Sequence, residues 1–305
     1  MSKPQSGVLP DGSPAALFLT LNLFNAPDAG ARVRQALGQI VQVTEELAAR
    51  HPRGGLLSVV AVGAESWSKI FGGEKPPGLH SFVALENSGR AAPATPCDLF
   101  VHIRSKGPDL NFLLAKQALA AFGDAVRLVE EVSGFRYLDN RDLTGFVDGT
   151  ENPAGEDRAR VALVEGGDPR FAEGSYIHIQ RYEHNLPQWE QLPVAEQEAI
   201  IGRTKADDVE MDDDTKPPTA HISRVDIKED GNKVEILRHS MPYGDTTRAG
   251  LYFVSYGATP EAFEKMLAQM IVADEAGHYD HLMNHTLAVT GAAFFAPPRG
   301  FLVEG

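Results

Sequence analysis

Cysteine is almost missing: Cys97 is the only one in 305 residues. A single thiol excludes an intramolecular disulfide, a thiolate zinc site and an iron–sulfur cluster held by one chain. No apolar run approaches the ~20 residues of a membrane span, and the opening MSKPQSG lacks the apolar core of a signal peptide. A cytoplasmic location is therefore expected. Basic residues are also scarce, with 28 Lys plus Arg against 42 Asp plus Glu and a net charge of −14. Such a surface repels nucleic acid and anionic membrane, so neither is an expected partner, and small molecules or cations remain. What is present is the composition of a folded protein, 43% hydrophobic and 23% charged, long enough for one large domain or two of about 150 residues.

The hydrophobic pattern predicts an α+β fold. An apolar β-rich run at 15–22 is followed by a helix over 31–50, with Val33, Leu37, Ile40, Thr44 and Leu47 on one stripe. Strands are predicted at 56–62 and 98–105, then a helix capped by Asp109 and closed by Gly123, then a strand at 125–132. This order, βαββαβ, is the ferredoxin-like unit. The second half repeats the plan with longer insertions: a strand at 175–182, a helix at 194–201, and an acidic surface loop at 207–218. A hairpin of strands 221–228 and 233–241 about the turn 229–232 comes next, then a strand at 250–256. A helix started by Thr259-Pro260 buries Phe263, Met266, Leu267, Met270 and Ile271, and a strand at 292–296 closes the chain. Two ferredoxin-like halves are predicted, 1–138 and 139–305.

Between them, residues 142–153 read DLTGFVDGTENP. Gly145, Gly149 and Pro153 surround one carboxylate, Asp148, which loop geometry holds in place. One reading is a solvated Asp in a tight turn. A haloacid-dehalogenase phosphotransferase is ruled out, because its nucleophilic Asp is Phe146 here, and a phenyl ring neither attacks phosphorus nor binds magnesium. Among the ten histidines, His221 stands directly after Pro217-Pro218 at the start of the predicted 221–228 strand. His278, His281 and His285 form a second group, and the i,i+4 spacing of His281 and His285 suits metal ligation if they share a helix face. The segment around them is polar throughout, which also suits a solvated surface. Along KVEILRHSM (233–241), Val234, Ile236, Arg238 and Ser240 share one strand face. A guanidinium among apolar neighbours either meets an anion or snorkels to water.

Six segments carry a specific resemblance: GFVDGTENP, IGRTK (201–205), HISRVD (221–226), ILRHSMPYG (236–244), GLYFVSY (250–256) and TGAAFFAPP (290–298). In order and spacing they resemble the dye-decolourising peroxidases, closest to the bacterial class B branch, from about residue 6 onward. The resemblance implies two ferredoxin-like halves in the DyP-type haem peroxidase fold, with one haem b per chain. With no CxxCH in the sequence, that haem is held non-covalently. His221 looks like the axial iron ligand and Asp280 like the acid that accepts its other ring N–H. Asp148 and Arg238 resemble the distal pair, with Ser240 beside them. Gly149, Thr150, Glu151, Arg203 and Phe253 fall at cofactor-binding positions.

The implied activity is reduction of hydrogen peroxide through a ferryl intermediate with oxidation of a small organic reductant, dye-like or phenolic. Asp148 would move the peroxide proton and Arg238 would stabilise developing charge. Burial raises the pKa of Asp148 and Arg238 lowers it; Arg238 is expected to hold it low. The rival is a haem-handling protein that carries haem or releases its iron, and a third reading is an inactive relative that binds no haem. The resemblance favours a homo-oligomer. Encapsulin packaging is not indicated by the residues after 301. Trp189, Tyr182 and Tyr243 are either packing or an electron route to the surface.

Overall fold

The strand β1 (Ala15–Leu23) is buried on both faces, and its alternation sorts side chains into two cores. Leu17, Leu19 and Leu21 face one way, toward helices α1 (Ala29–Arg50) and α2 (Pro108–Phe122). Ala16 and Phe18 face the other way, into an inner layer shared with the second half of the chain. The computed structural model describes residues 3–304.

β1 pairs antiparallel with β3 (Leu99–Ser105) and β4 (Val126–Phe135), and β3 pairs with β2 (Leu57–Val62). The resulting order β4-β1-β3-β2 is that of a ferredoxin-like sheet. The second half builds the same order from β5 (Ser175–His184), β6 (Met241–Gly244), β7 (Ala249–Gly257) and β8 (Ala292–Ala296), arranged β6-β7-β5-β8. Its helices include α3 (Val194–Ile201), α4 (His221–Val225) and α5 (Glu261–Ile271). Single residue pairs join the sheets at both edges, Tyr243 with Gly134 and Phe295 with Val62. Phe18, Phe100, Tyr252, Tyr256 and Phe294 fill the space between the two sheets, the Phe18 and Tyr252 rings stacking at 4.1 Å.

Three local expectations need correction. Asp109 does not cap α2; the helix starts at Pro108, whose fixed φ suits a first turn, and its cap is Gly107. His221 opens a short helix, not a strand. Ile222 and Val225 stand three apart and both line the cleft described below, a helical spacing that the period-two reading missed. The hairpin about the predicted turn keeps Asp230 and Gly231 at positive φ, but its arms shrink to Lys228–Glu229 and Asn232–Lys233. Strand pairing in the next stretch lies instead at Leu237–Arg238 and in β6, both along β7.

Candidate active site

The stripe predicted for α5 forms one wall of a cleft, with Phe263, Met266, Leu267 and Met270 turned inward. α4, β5, β7 and residues 142–151 supply the other walls. The cleft encloses ≈ 1610 Å³ of space free of atoms, part of it continuous with solvent. Its lining is mainly apolar with a few charged groups, the usual constitution of a ligand site.

His221 is set at the first position of α4, after the Pro217-Pro218 break and the extended Ala220. Its Nδ1 lies 2.6 Å from Oδ2 of Asp280, which is fully buried. The other oxygen of Asp280 accepts the Leu282 N–H at 2.9 Å. The His281 N–H bonds to the Thr219 carbonyl at 3.0 Å, so this loop and the start of α4 hold each other. A carboxylate on Nδ1 selects the tautomer with its proton there. Nε2, without a hydrogen-bond partner among the described residues, is left with its lone pair available.

Asp148 comes from the loop that organises the middle of the chain. Its N–H donates to the Asn140 carbonyl at 2.9 Å and its carbonyl accepts from Asn140 Nδ2 at 2.7 Å. Upstream, the Asp142 carboxylate takes the Thr144 N–H at 3.1 Å and its hydroxyl at 2.7 Å, and stands 3.2 Å from His184 Nε2. Burial alone would raise the Asp142 pKa, but His184 and the Thr144 bonds bring it down to about 2. Asp148 behaves oppositely. Burial pushes its carboxyl above the ordinary value, and the charge of Arg238 opposes this without prevailing. This overturns the expectation that Arg238 holds it low, because the walls around Asp148 remove more hydration than a separated guanidinium returns.

Arg238 sits where the strand along β7 is interrupted. The Ser240 hydroxyl accepts the Val254 N–H at 3.2 Å, replacing a ladder bond at the break. Arg238 and Ser240 both line the cleft. Many arginines here are tied to carboxylates, but the guanidinium of Arg238 has no ion pair or hydrogen bond among the described residues. Phe253 also lines the cleft, its ring 5.3 Å from that of Phe263. Gly149, Thr150, Glu151 and Arg203 complete this side. Arg203 is not a free cation: Asp208 is 2.7 Å away, Glu151 3.2 Å and Glu210 3.6 Å. Thr150 donates to Asp208 at 2.5 Å.

Thus nine of the residues singled out in the sequence line one cleft, and Asp280 stands directly behind His221. The sequence reading missed Asp142 and His184, which brace the Asp148 loop, and Lys233, a third cation of the lining beside Arg203 and Arg238, 3.2 Å from Glu151. It also missed Asn152, although the residue is part of the TENP extension. The C-terminal histidines are not a metal centre: residues 281–284 form a 3₁₀ turn, so His281 and His285 do not share an α-helical face. His285 is buried against Trp189, and no cluster of three metal-binding side chains occurs among the described residues. Trp189, Tyr182 and Tyr243 are buried, at 1%, 6% and 6% exposure. All three are packed in the interior, Tyr182 also lining the cleft, and Trp189 Nε1 donates to the Thr144 carbonyl behind the Asp148 loop. Cys97 is a free thiol, and no described helix is long and apolar enough to cross a membrane.

Carrying haem needs an imidazole and apolar walls; it gives no use to a carboxylate and a guanidinium facing the same space with no ion pair among the described residues. A peroxidase has a use for both, a base for the peroxide proton and a cation for developing charge, and with the imidazole and apolar walls they fit the class of the haem peroxidases. Comparison with known proteins narrows the class. The family model for the Dyp-type peroxidase N-terminal region matches residues 5–136 and that for the C-terminal region matches residues 139–301. The chain belongs to the Dyp-type, or dye-decolourising, peroxidase family.

A dye-decolourising peroxidase of Mycobacterium tuberculosis is 43% identical over 293 residues, 95% of this chain and 87% of the relative. A putative Dyp-type peroxidase from Shewanella oneidensis superposes with a TM-score of 0.97 at 44% identity, covering 100% of this chain and 99% of that one. The encapsulated DyP-type peroxidase of Mycobacterium smegmatis gives 0.96 at 39%, covering 100% and 98%. A DypB variant of Rhodococcus jostii RHA1 in complex with heme gives 0.95 at 40%, covering 98% and 97%. The protein is a haem-dependent peroxidase that reduces hydrogen peroxide and oxidises an organic substrate, and the haem-handling reading is not favoured.

Proposed function

We propose that the cleft takes one haem b per chain, held non-covalently with His221 as the ligand to its iron, and that Asp148, Arg238 and Ser240 act on peroxide. The observation that carries this is the pair Asp148 and Arg238, both lining the cleft and neither in an ion pair among the described residues. Buried charges are ordinarily paired, so two left free within a lined cavity are kept for a ligand. The donor set fits haem: one neutral imidazole nitrogen backed by a carboxylate, and apolar walls of Phe, Met and Leu.

Haem, when bound, supplies the iron that receives peroxide and stores its oxidising equivalents. The protein supplies the proton chemistry. Asp148 in its ionised form accepts the proton of the peroxide oxygen that is retained and delivers it to the departing oxygen, which leaves as water. Arg238 stabilises the negative charge that grows on the departing oxygen and keeps its own protons throughout. The Ser240 oxygen already accepts the Val254 N–H, so its O–H is the free donor toward the cleft. Asp280 fixes the tautomer of His221 and strengthens its donation. Phe253, with Phe263 behind it, keeps bulk water from this space. Gly149, Thr150 and Glu151 line the same cleft and would help to hold the group. Arg203 and Lys233 are the cations available to its carboxylates, Arg203 in competition with Asp208, Glu151 and Glu210.

The reductant is a small organic molecule of the dye-like or phenolic kind. The protein is read as a cytoplasmic homo-oligomer for which packaging is not indicated; the M. smegmatis relative is described as encapsulated. Sedimentation of a lysate tests this, since a packaged enzyme would travel with a shell. The site itself is tested by spectra of haem-loaded parent, His221→Ala and Arg238→Leu before and after peroxide. His221→Ala should lose most haem or its native spectrum. Arg238→Leu should keep haem and react about 100- to 1000-fold more slowly, the effect of removing one charge-stabilising donor. Full loading and normal turnover in both variants would refute the reading.

A further inference from the structure

Arg238 is anchored on one edge only. Leu237 and Arg238 pair with Tyr256 and Ser255 of β7, and the His239 N–H donates to the Val254 carbonyl at 2.9 Å. Alternation along a strand turns the N–H and C=O of Arg238 itself away from β7. On that far edge the Asn152 side chain takes both groups. Its Oδ1 accepts the Arg238 N–H at 2.8 Å and its Nδ2 donates to the Arg238 carbonyl at 2.8 Å. A side-chain amide is the group that offers one acceptor and one donor at this spacing, so Asn152 stands in for a neighbouring strand. The Asn152 N–H in turn donates to the Gly149 carbonyl at 3.0 Å, closing a turn that begins immediately after Asp148. One four-residue turn therefore links the backbone of Asp148 to that of Arg238, 90 positions later.

We propose that Asn152 is a positioning residue for the peroxide reaction: through its two bonds to the Arg238 backbone it sets where the guanidinium stands relative to the Asp148 carboxylate. It touches neither peroxide nor haem, and its effect passes through Arg238. This rests on the proposed role of Arg238. The two side chains must act on the two oxygens of one peroxide, so a displacement of about 1 Å is costly and can slow such a reaction up to ~100-fold.

The test is a double-mutant cycle on the haem-loaded protein with amide hydrogen exchange on the apoprotein. Asn152→Ala should slow the peroxide reaction about ten- to a hundredfold at unchanged haem content. In an Arg238→Leu background it should change the rate by less than about twofold, since the group it positions is gone. The Arg238 amide should lose its exchange protection in Asn152→Ala while its neighbours in β7 keep theirs. Should the Ala variant not fold, Asn152→Gln keeps the amide one methylene too long, with a smaller slowing and the same non-additivity. Multiplying effects in the cycle, or an Arg238 amide that stays protected, would overturn the inference while leaving the site reading intact. An Arg238→Leu rate equal to the parent's would remove the site reading and the inference with it.

Discussion

In the proposed site Asp280 acts from behind His221, away from the reacting atoms. It is 0% exposed and its two oxygens meet His221 Nδ1 and the Leu282 N–H. Asp280→Asn preserves the shape and removes the charge. Haem should stay bound, the peroxide reaction should slow about ten- to a hundredfold, and the reduction potential should rise as His221 donates less. Stopped-flow and spectroelectrochemistry check both; an unchanged potential would separate Asp280 from the iron ligand. Asp142 makes a different prediction, on stability. Its pKa falls from 3.8 to about 2 on folding, so the unfolded chain binds more protons between those values. The contribution, on the order of 2 kcal/mol, is complete above the unfolded pKa and disappears as pH falls through about 2. Urea unfolding of the parent and Asp142→Asn should therefore differ near neutrality and converge at the acid end. A difference that persisted at pH 2 would contradict the assignment.

Elements carry these residues into register, and the close packing of strands shows where they tolerate no change. A Cβ on Gly250 would lie 2.0 Å from the Tyr182 carbonyl oxygen, in the ladder between β7 and β5. Gly250→Ala should destabilise the protein by more than about 2 kcal/mol, read as a lower midpoint in denaturant; an unchanged midpoint would mean the two strands can part cheaply. Elements buried on both faces or with one strong stripe were legible in the sequence. The helix at 194–201 and the strand at 292–296 match their predicted bounds, and α5 buries Phe263, Leu267 and Ile271 as its pattern requires. Short elements fixed by tertiary contacts were not. The five residues of α4 hold too few positions to separate a helical from an alternating period. Asp109 had the type of a cap, but Pro108 set the start. Within the site, Asp148, His221 and Arg238 were legible through motif and unusual placement. Asn152 was not, because its function lies in a contact with a backbone 86 positions away. The balance at Asp148 was likewise hidden, since it depends on how completely folding strips its water.

At the scale of the whole molecule, two sheets of the same order share one inner layer and are sewn at two edges. Neither half can leave without exposing Phe18, Phe100, Tyr252 and Phe294. The halves 1–138 and 139–305 are proposed as architectural units that unfold together. Phe294→Ala should cost about 3–5 kcal/mol and shift one calorimetric transition; a second, unshifted transition would show that the halves melt separately. This frame brings a braced imidazole from α4 and a free carboxylate from the loop between the halves to one cleft. Asp148 is proposed to move the peroxide proton there. This role is tested most directly by the rate of the spectral change on mixing with peroxide, followed from about pH 4 to 8 in the parent and in Asp148→Asn. Burial raises the Asp148 carboxyl above its ordinary pKa against the charge of Arg238, and the rate should fall as pH drops through that titration, because the protonated carboxyl accepts nothing. The parent should show that acid limb, and Asp148→Asn a flat, slower profile. The same limb in both proteins would contradict the role.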